Sequence, residues 1–320
     1  MAKTNVKIAA LLILILFSLI GCSEDKKKDA YQEGKPTFSF EHEEQEFTVV
    51  NYLPAMEEFI KAAEADPDNK DELYKKIVHG SLRDHGLGYS ILEEWIFAVP
   101  FDLAKLEASV TELTEQKEQY EEAIKEALVL SADLLPGENK TIHVFPALPE
   151  FARSMEEVDY VTGFVWEQGD MVLLLDPRFN EDSLKQTVAH EYHHMVYEEK
   201  QKNLLFTVAE RSVMEGKADV FAKMIYPDQI PPWASFSSEY EKANAIENFK
   251  AFNQSADPEI IMEFHNGSPV KQIPQWAHYK VGNDMVQTYL SEHQEMSIPE
   301  WTALETEAFL KNSGYQDGEQ

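Results

Sequence analysis

The most hydrophobic stretch of the chain is also its first. Lys3 and Lys7 precede residues 8–20, which are apolar except for Ser18. Those 13 residues fall short of the roughly 20 that a membrane-spanning helix needs. A basic start followed by a short apolar core predicts a secretory signal, which is set aside from fold reasoning. Residues 23–45 are polar and charged, include Lys26-Lys27-Lys28, and predict a flexible tether. From 52 to 86 the apolar positions Met56, Phe59, Ile60 and Ala63, then Leu73 and Ile77, recur at helical spacing. Pro67-Asp68-Asn69 divides that stretch in two. Residues 100–135 predict one long helix through Leu103, Leu106, Val110, Leu113, Tyr120, Ile124 and Leu128, stopped by Leu135-Pro136-Gly137.

The period then changes. Residues 141–146 predict a strand, and residues 160–166 and 171–175 predict two more, joined through Glu167-Gln168-Gly169-Asp170 as a hairpin. Everything after Asp176-Pro177 reads as helix and loop. Strands confined to the middle, with helices on both sides, predict an α+β fold with a small, mostly antiparallel sheet. The expected organisation is a signal over 1–21, a tether over 22–45, an N-terminal helical region over 46–139, a functional unit over 140–312 and a tail over 313–320. There is no internal repeat, P-loop or GxGxxG.

Composition narrows the function. The 320 residues carry 28 basic and 58 acidic side chains, a formal charge of −30. That balance excludes nucleic acid as a partner, because phosphate binding needs a positive field. Hydrophobic residues make up 43%, too many for a disordered acidic chain. The single cysteine, Cys22, rules out a disulfide framework within the chain, a Cys-rich zinc module and a CxxC redox pair.

The chemistry-bearing pattern lies in the next amphipathic stretch. Asn180-Glu181-Asp182-Ser183 offers helix caps, and Leu184, Val188, Tyr192 and Met195 supply an apolar face. Within it, His190-Glu191-Tyr192-His193-His194 fits HExxH. Residues four apart lie on one helix face, so His190 and His194 can offer two nitrogens to one ion. Glu191 is about 100° round the helix; it misses the ion but can reach a water on the ion's open side and serve as general base. His193 lies on another face and reads as a packed or solvated histidine. Glu215-Gly216-Lys217-Ala218-Asp219 begins 21 residues after His194. Glu215, on a following antiparallel helix, is the expected third ligand of a catalytic zinc site. Asp219, one turn on, can take the spare ring N–H of a liganding histidine. Glu210 is the rival third ligand, but it has no carboxylate partner one turn on. The metzincin extension is absent, since Tyr197 and Lys200 stand where Gly and His would be required.

Two resemblances follow from these residues. Leu19-Ile20-Gly21-Cys22 resembles the bacterial lipoprotein lipobox, which implies cleavage before Cys22, acylation of that residue, and anchoring on the extracytoplasmic side of the cell membrane. The mature chain, without Lys3 and Lys7, would carry 26 basic and 58 acidic residues. The HExxH and ExxxD pair resembles the gluzincin metallopeptidases, the class that includes the thermolysin-like enzymes. More narrowly, residues 187–194, residues 214–219 and the later Pro274-Gln275-Trp276-Ala277-His278-Tyr279-Lys280-Val281-Gly282 resemble the YjaZ-like family, described as predicted Zn-dependent proteases. This resemblance covers roughly residues 140–295. It implies a zincin-like fold and one zinc ion per chain held by His190, His194 and Glu215. It further implies Glu191 as base and Asp219 behind His190. The N-terminal helical region has no counterpart in it.

A zinc peptidase also needs a donor for the oxyanion. Tyr279 and His278 are the candidates, with Tyr192 and Tyr197 as weaker rivals. Either residues 163–166 or residues 171–174 could be the edge strand beside the cleft on which a peptide substrate pairs. The leading expectation is a membrane-anchored zinc peptidase acting on a peptide or protein. The alternative is a non-catalytic binding or scaffold lipoprotein with a structural or vestigial metal site, although a structural site has no need of Glu191. A zinc hydrolase of cell-wall amides or esters ranks third.

Overall fold

The computed structural model describes residues 37–87, 97–167, 169–200, 206–311 and 314–315. The expected signal, Cys22 and Lys26-Lys27-Lys28 lie outside the described residues. Phe40, Phe47 and Val49 are buried, while Ser39, Glu41 and Glu46 face solvent. This alternation makes strands β1 (Thr37–His42) and β2 (Gln45–Asn51), an antiparallel hairpin. Two strands thus stand where composition suggested the end of a tether and the start of a helical region.

The chain then runs through α1 (Leu53–Ala65), α2 (Lys70–Asp84), α3 (Leu103–Glu115) and α4 (Lys117–Leu134). In α1 the expected face is buried. In α2 the buried residues are Tyr74, Val78 and Leu82, and Leu73 and Ile77 flank them. The single helix expected over 100–135 is two helices that meet at Gln116, whose N–H bonds to Glu112 O and Leu113 O. The two halves serve different neighbours, because α3 packs on α1 and α4 on the later helix over 181–200. After β3 (Lys140–Pro146) come the short α5 (Ala152–Glu156) and the hairpin β4 (Val161–Glu167) and β5 (Asp170–Leu175). Gly169, at φ +90°, makes the turn.

These strands form one five-stranded sheet in the order β1-β2-β3-β5-β4. The two hairpins are antiparallel, but β2–β3 and β3–β5 are parallel. The sheet is therefore mixed, not mostly antiparallel. The reason is connectivity: α1–α4 carry the chain back to the same end of the sheet before β3 starts, which imposes a parallel partner. The α+β class holds. Strand β4 is the last in the sheet order and β5 is interior, which separates the two edge-strand candidates.

The remaining helices are α6 (Glu181–Lys200), α7 (Val208–Ile225), α8 (Glu239–Phe252), α9 (Pro258–Asn266), α10 (Ala277–Glu292), α11 (Ile298–Thr302) and α12 (Thr306–Lys311). Among the described residues, no helix is long and apolar enough to cross a membrane. Two apolar clusters organise the molecule. The larger joins the sheet, α1–α4 and α6; the smaller joins α8, α9, α10 and α12. Helix α7 belongs to both, with Phe221 and Ala222 in the first and Val208, Val213 and Val220 in the second. The junction between the clusters is where the chemistry-bearing residues collect.

Candidate metal centre

Helix α6 is buried on nearly all sides from Ser183 to Tyr197. A helix so enclosed must give each polar residue a partner or a task. Leu184, Val188, Tyr192 and Met195 are fully buried in the large cluster, which fixes the rotation of the helix. At its start, Ser183 N–H donates to Asn180 Oδ1 and Ser183 Oγ donates to Asp159 Oδ2. With this rotation, His190 and His194 face α7. There Thr207 and Glu210 form a capping box, Thr207 N–H donating to Glu210 Oε2 at 2.7 Å. The rival ligand Glu210 is thereby committed to starting α7, and Glu215 lies one and a half turns further in.

Three atoms converge. His194 Nε2 is 3.0 Å from His190 Nε2 and 3.1 Å from Glu215 Oε2, and His190 Nε2 is 3.3 Å from Glu215 Oε2. All three residues are buried, and they form the one group with metal-ligand geometry among the described residues. Tetrahedral zinc with bonds near 2.0–2.1 Å separates its ligands by about 3.3 Å, so the triangle has the right size. The donor chemistry agrees. His190 Nδ1 lies 3.0 Å from Asp219 Oδ1, off the line of a straight hydrogen bond. With its proton on that side, the Nε2 lone pair points at the carboxylate of Glu215. Lone pairs converging in a dry site repel unless a cation sits between them.

The electrostatics favour positive charge at this point. Burial disfavours charge on His190, but Asp219 and Glu215 outweigh it and push its pKa well above the ordinary histidine value. Burial likewise works against the Glu215 carboxylate, yet His194 and His190 hold it well below the usual range. Burial raises Glu191, more than the two histidines lower it. A carboxylate with a raised pKa is a better proton acceptor.

Beside the triangle is a cavity of about 150 Å³, lined by Glu191, Thr187, Gly163, Trp233, His265, Trp276, Tyr279 and their neighbours. Gly163 of β4 leaves room for Glu191: a Cβ there would lie 2.8 Å from Glu191 Cγ. Tyr279 lines the cavity with its ring centre 6.3 Å from that of His190. Burial, then the charges of Glu215, Glu191 and Asp219, push its hydroxyl well above the usual tyrosine pKa, so it keeps its proton and can donate.

His278 sits elsewhere. It is 1% exposed, its Nδ1 is 3.0 Å from Phe264 O, and it is not among the residues lining the cavity. Burial lowers its pKa to about 4, so the ring is neutral, and its one N–H is directed from Nδ1 to Phe264 O. Its place off the cavity follows from the helix turn: adjacent residues on α10 point about 100° apart, and only Tyr279 is turned to the site. Tyr192 shares its one hydroxyl hydrogen between Gln45 Oε1 and Leu135 O on the far side of α6. Tyr197 stacks on His193. His193 is fully buried against Trp301 and Phe221. Burial holds its pKa well below the usual value.

Sequence reasoning missed Trp233, Trp276 and His265. Trp233 lies on an irregular stretch with no period to flag it. Trp276 is held at φ +57° just before α10, an unusual conformation for a bulky residue. His265 lies in the last turn of α9 and carries no ligand spacing.

A family model described as predicted Zn-dependent protease (DUF2268) matches residues 120–311, which takes in most of α4 and every element from β3 onward. No curated protein and no solved structure matches the chain.

Proposed function

The chain belongs to the family of predicted Zn-dependent proteases (DUF2268), and from that membership we propose a gluzincin-type zinc peptidase of zincin-like fold, tethered to the extracytoplasmic face of a membrane by lipid on Cys22. The observation that carries the catalytic part is the meeting of His190 Nε2, His194 Nε2 and Glu215 Oε2 within 3.3 Å, beside a cavity that Glu191 and Tyr279 line.

His190, His194 and Glu215 would hold one zinc ion, and Asp219 would keep the proton of His190 on Nδ1, away from the ion. Zinc with three protein ligands supplies Lewis acidity toward a carbonyl and acidifies water. Glu191 takes the proton of the attacking water and then delivers it to the leaving amine. Tyr279 donates its hydroxyl hydrogen to the oxyanion. The outer edge of β4, next to Gly163, offers backbone groups to an extended peptide, and β5, being interior, does not.

The test is elemental analysis of the full chain, purified without chelator, together with digestion of a peptide library. Wild type is expected to carry zinc and to cleave; Glu191→Gln is expected to keep the zinc and lose cleavage by a factor of about 10²–10⁴. Zinc with no cleavage, unchanged by Glu191→Gln, would favour the non-catalytic alternative. Absence of zinc from wild type would end the reading. Cys22→Ser, expected to shift the protein out of the membrane fraction, tests the anchor separately.

A further inference from the structure

Trp233 lies between α7 and α8, outside both motif helices. Its Nε1–H donates to Asp219 Oδ1 at 3.1 Å. The same oxygen lies 3.0 Å from His190 Nδ1. Asp219 is 4% exposed and its Oδ2 has no partner, so the carboxylate is held through Oδ1. Trp233 also lines the cavity, with its ring centre 5.7 Å from Trp276 and 5.5 Å from Tyr279. The segment is pinned from behind: Asn283 Nδ2 of α10 donates to Ala234 O at 2.7 Å, and Ala234 N–H donates to Pro231 O at 2.9 Å.

We propose that Trp233 is a positioning residue for the metal centre: its indole N–H fixes the rotation of Asp219 and through it the ring orientation of His190. One side chain thus forms the substrate-facing wall and sets the aim of a metal ligand. The chemistry suits the place. An indole N–H only donates, so it can neither ligate the ion nor take the Nδ1 proton that Asp219 must hold in position. A carboxylate turns easily about its last bond; with one oxygen unpartnered, Asp219 needs a second donor on the other to stay aligned. The inference rests on the zinc-site reading above.

Zinc dissociation constants of the full chain, from competition with a chromogenic chelator, test it. Losing a partner behind a ligating histidine weakens metal binding about 10–100-fold. Trp233→Phe, which keeps an aromatic wall, is expected to weaken zinc about tenfold. Trp276→Phe, on the same wall without a bond to Asp219, is expected to leave zinc affinity within about twofold, which is the matched comparison for that effect. Because Trp233 acts through Asp219, adding Trp233→Phe to Asp219→Ala should change nothing further. The visible band of the cobalt(II)-loaded protein should shift in Trp233→Phe and not in Trp276→Phe. Asn283→Ala, which frees the segment while keeping the indole, is a second route and should weaken zinc in the same direction by less. Wild-type zinc affinity in both Trp233→Phe and Asn283→Ala, or losses that multiply in the double variant, would overturn the proposal. A wild type that binds no zinc would overturn the metal site itself, so the two failures are distinguishable.

Discussion

Gly216 of α7 and Gly282 of α10 face each other across the closest helix contact of the site. A Cβ on Gly282 would lie 1.7 Å from Ser212 O, and one on Gly216 would lie 2.2 Å from Gly282 C. The neighbours are backbone atoms, so no side chain can turn away to make room. This crossing holds Glu215 of α7 against the turn of α10 that carries Tyr279.

Gly282→Ala and Gly216→Ala are therefore expected to destabilise by about 3 kcal/mol, the upper end of overpacking costs, and to weaken zinc binding as the helices part. Gly80→Ala in α2 is the contrast. Its nearest foreign atom would be an Arg83 side-chain nitrogen at 3.9 Å, and a helix interior prefers alanine by roughly 0.5–1 kcal/mol. Urea unfolding of the three variants should move the midpoint down twice and up once.

Gly163 and Glu191 make a narrower relationship. Gly163→Ala would press on Glu191 Cγ, and on Leu173 Cδ2 and Thr187 Cγ2 at 3.1 and 3.2 Å. With Glu191 as the proposed base, a small misplacement costs up to about 10² in rate. We expect turnover to fall by about 10–100-fold with zinc content unchanged, measured by steady-state cleavage alongside metal analysis. Loss of zinc in this variant would show that β4 supports the ligands instead of the base.

Lys140 at the start of β3 pairs with Glu199 near the end of α6, and Glu199 Oε1 also accepts from Glu138 N–H at 3.0 Å. The Lys140 side chain is wholly buried and that of Glu199 nearly so. Removing one partner strands the other charge, so Lys140→Met should cost about 3–5 kcal/mol. Lys140→Met with Glu199→Leu should recover most of it, since a buried pair replaced by apolar groups is often neutral. A double-mutant cycle in denaturant reads both numbers.

Glu241 of α8 gives a pH dependence. Partial burial pushes its carboxyl up, but hydrogen bonds from Lys280 and Ser237 outweigh this and hold it below the ordinary value of 4.5. A depressed folded pKa means the folded state binds fewer protons than the unfolded chain. The stabilisation is present above about pH 4.5 and is lost as the pH falls through the folded value. In metal-free protein, wild type should lose more stability than Glu241→Gln between pH 6 and about pH 3, and equal losses in denaturant titrations would contradict it.

Local spacing made part of this protein legible in its sequence. His190 and His194 are four residues apart, and helical geometry alone brings them to one face. The apolar positions Leu184, Val188, Tyr192 and Met195 say which way that helix is turned. Glu215 with Asp219 repeats the same one-turn logic on a second helix. The hairpin of β4 and β5 was legible from two short apolar runs joined through Gly169. What only the tertiary structure decided involves partners remote in the chain. Spacing to Asp219 already favoured Glu215 over Glu210, and the packing of α7 on α6 is what brings Glu215 to His190 and His194. His278 and Tyr279 are adjacent, and the seating of α10 on α7 at Gly282 leaves Tyr279, not His278, lining the cavity. The parallel pairing of β2 with β3 depends on the path of the helical stretch between them. Trp233 reaches Asp219 from an aperiodic stretch. Periodicity records which face of an element is buried; it holds no record of which element will lie against that face, because that choice is made by the packing of surfaces distant in sequence.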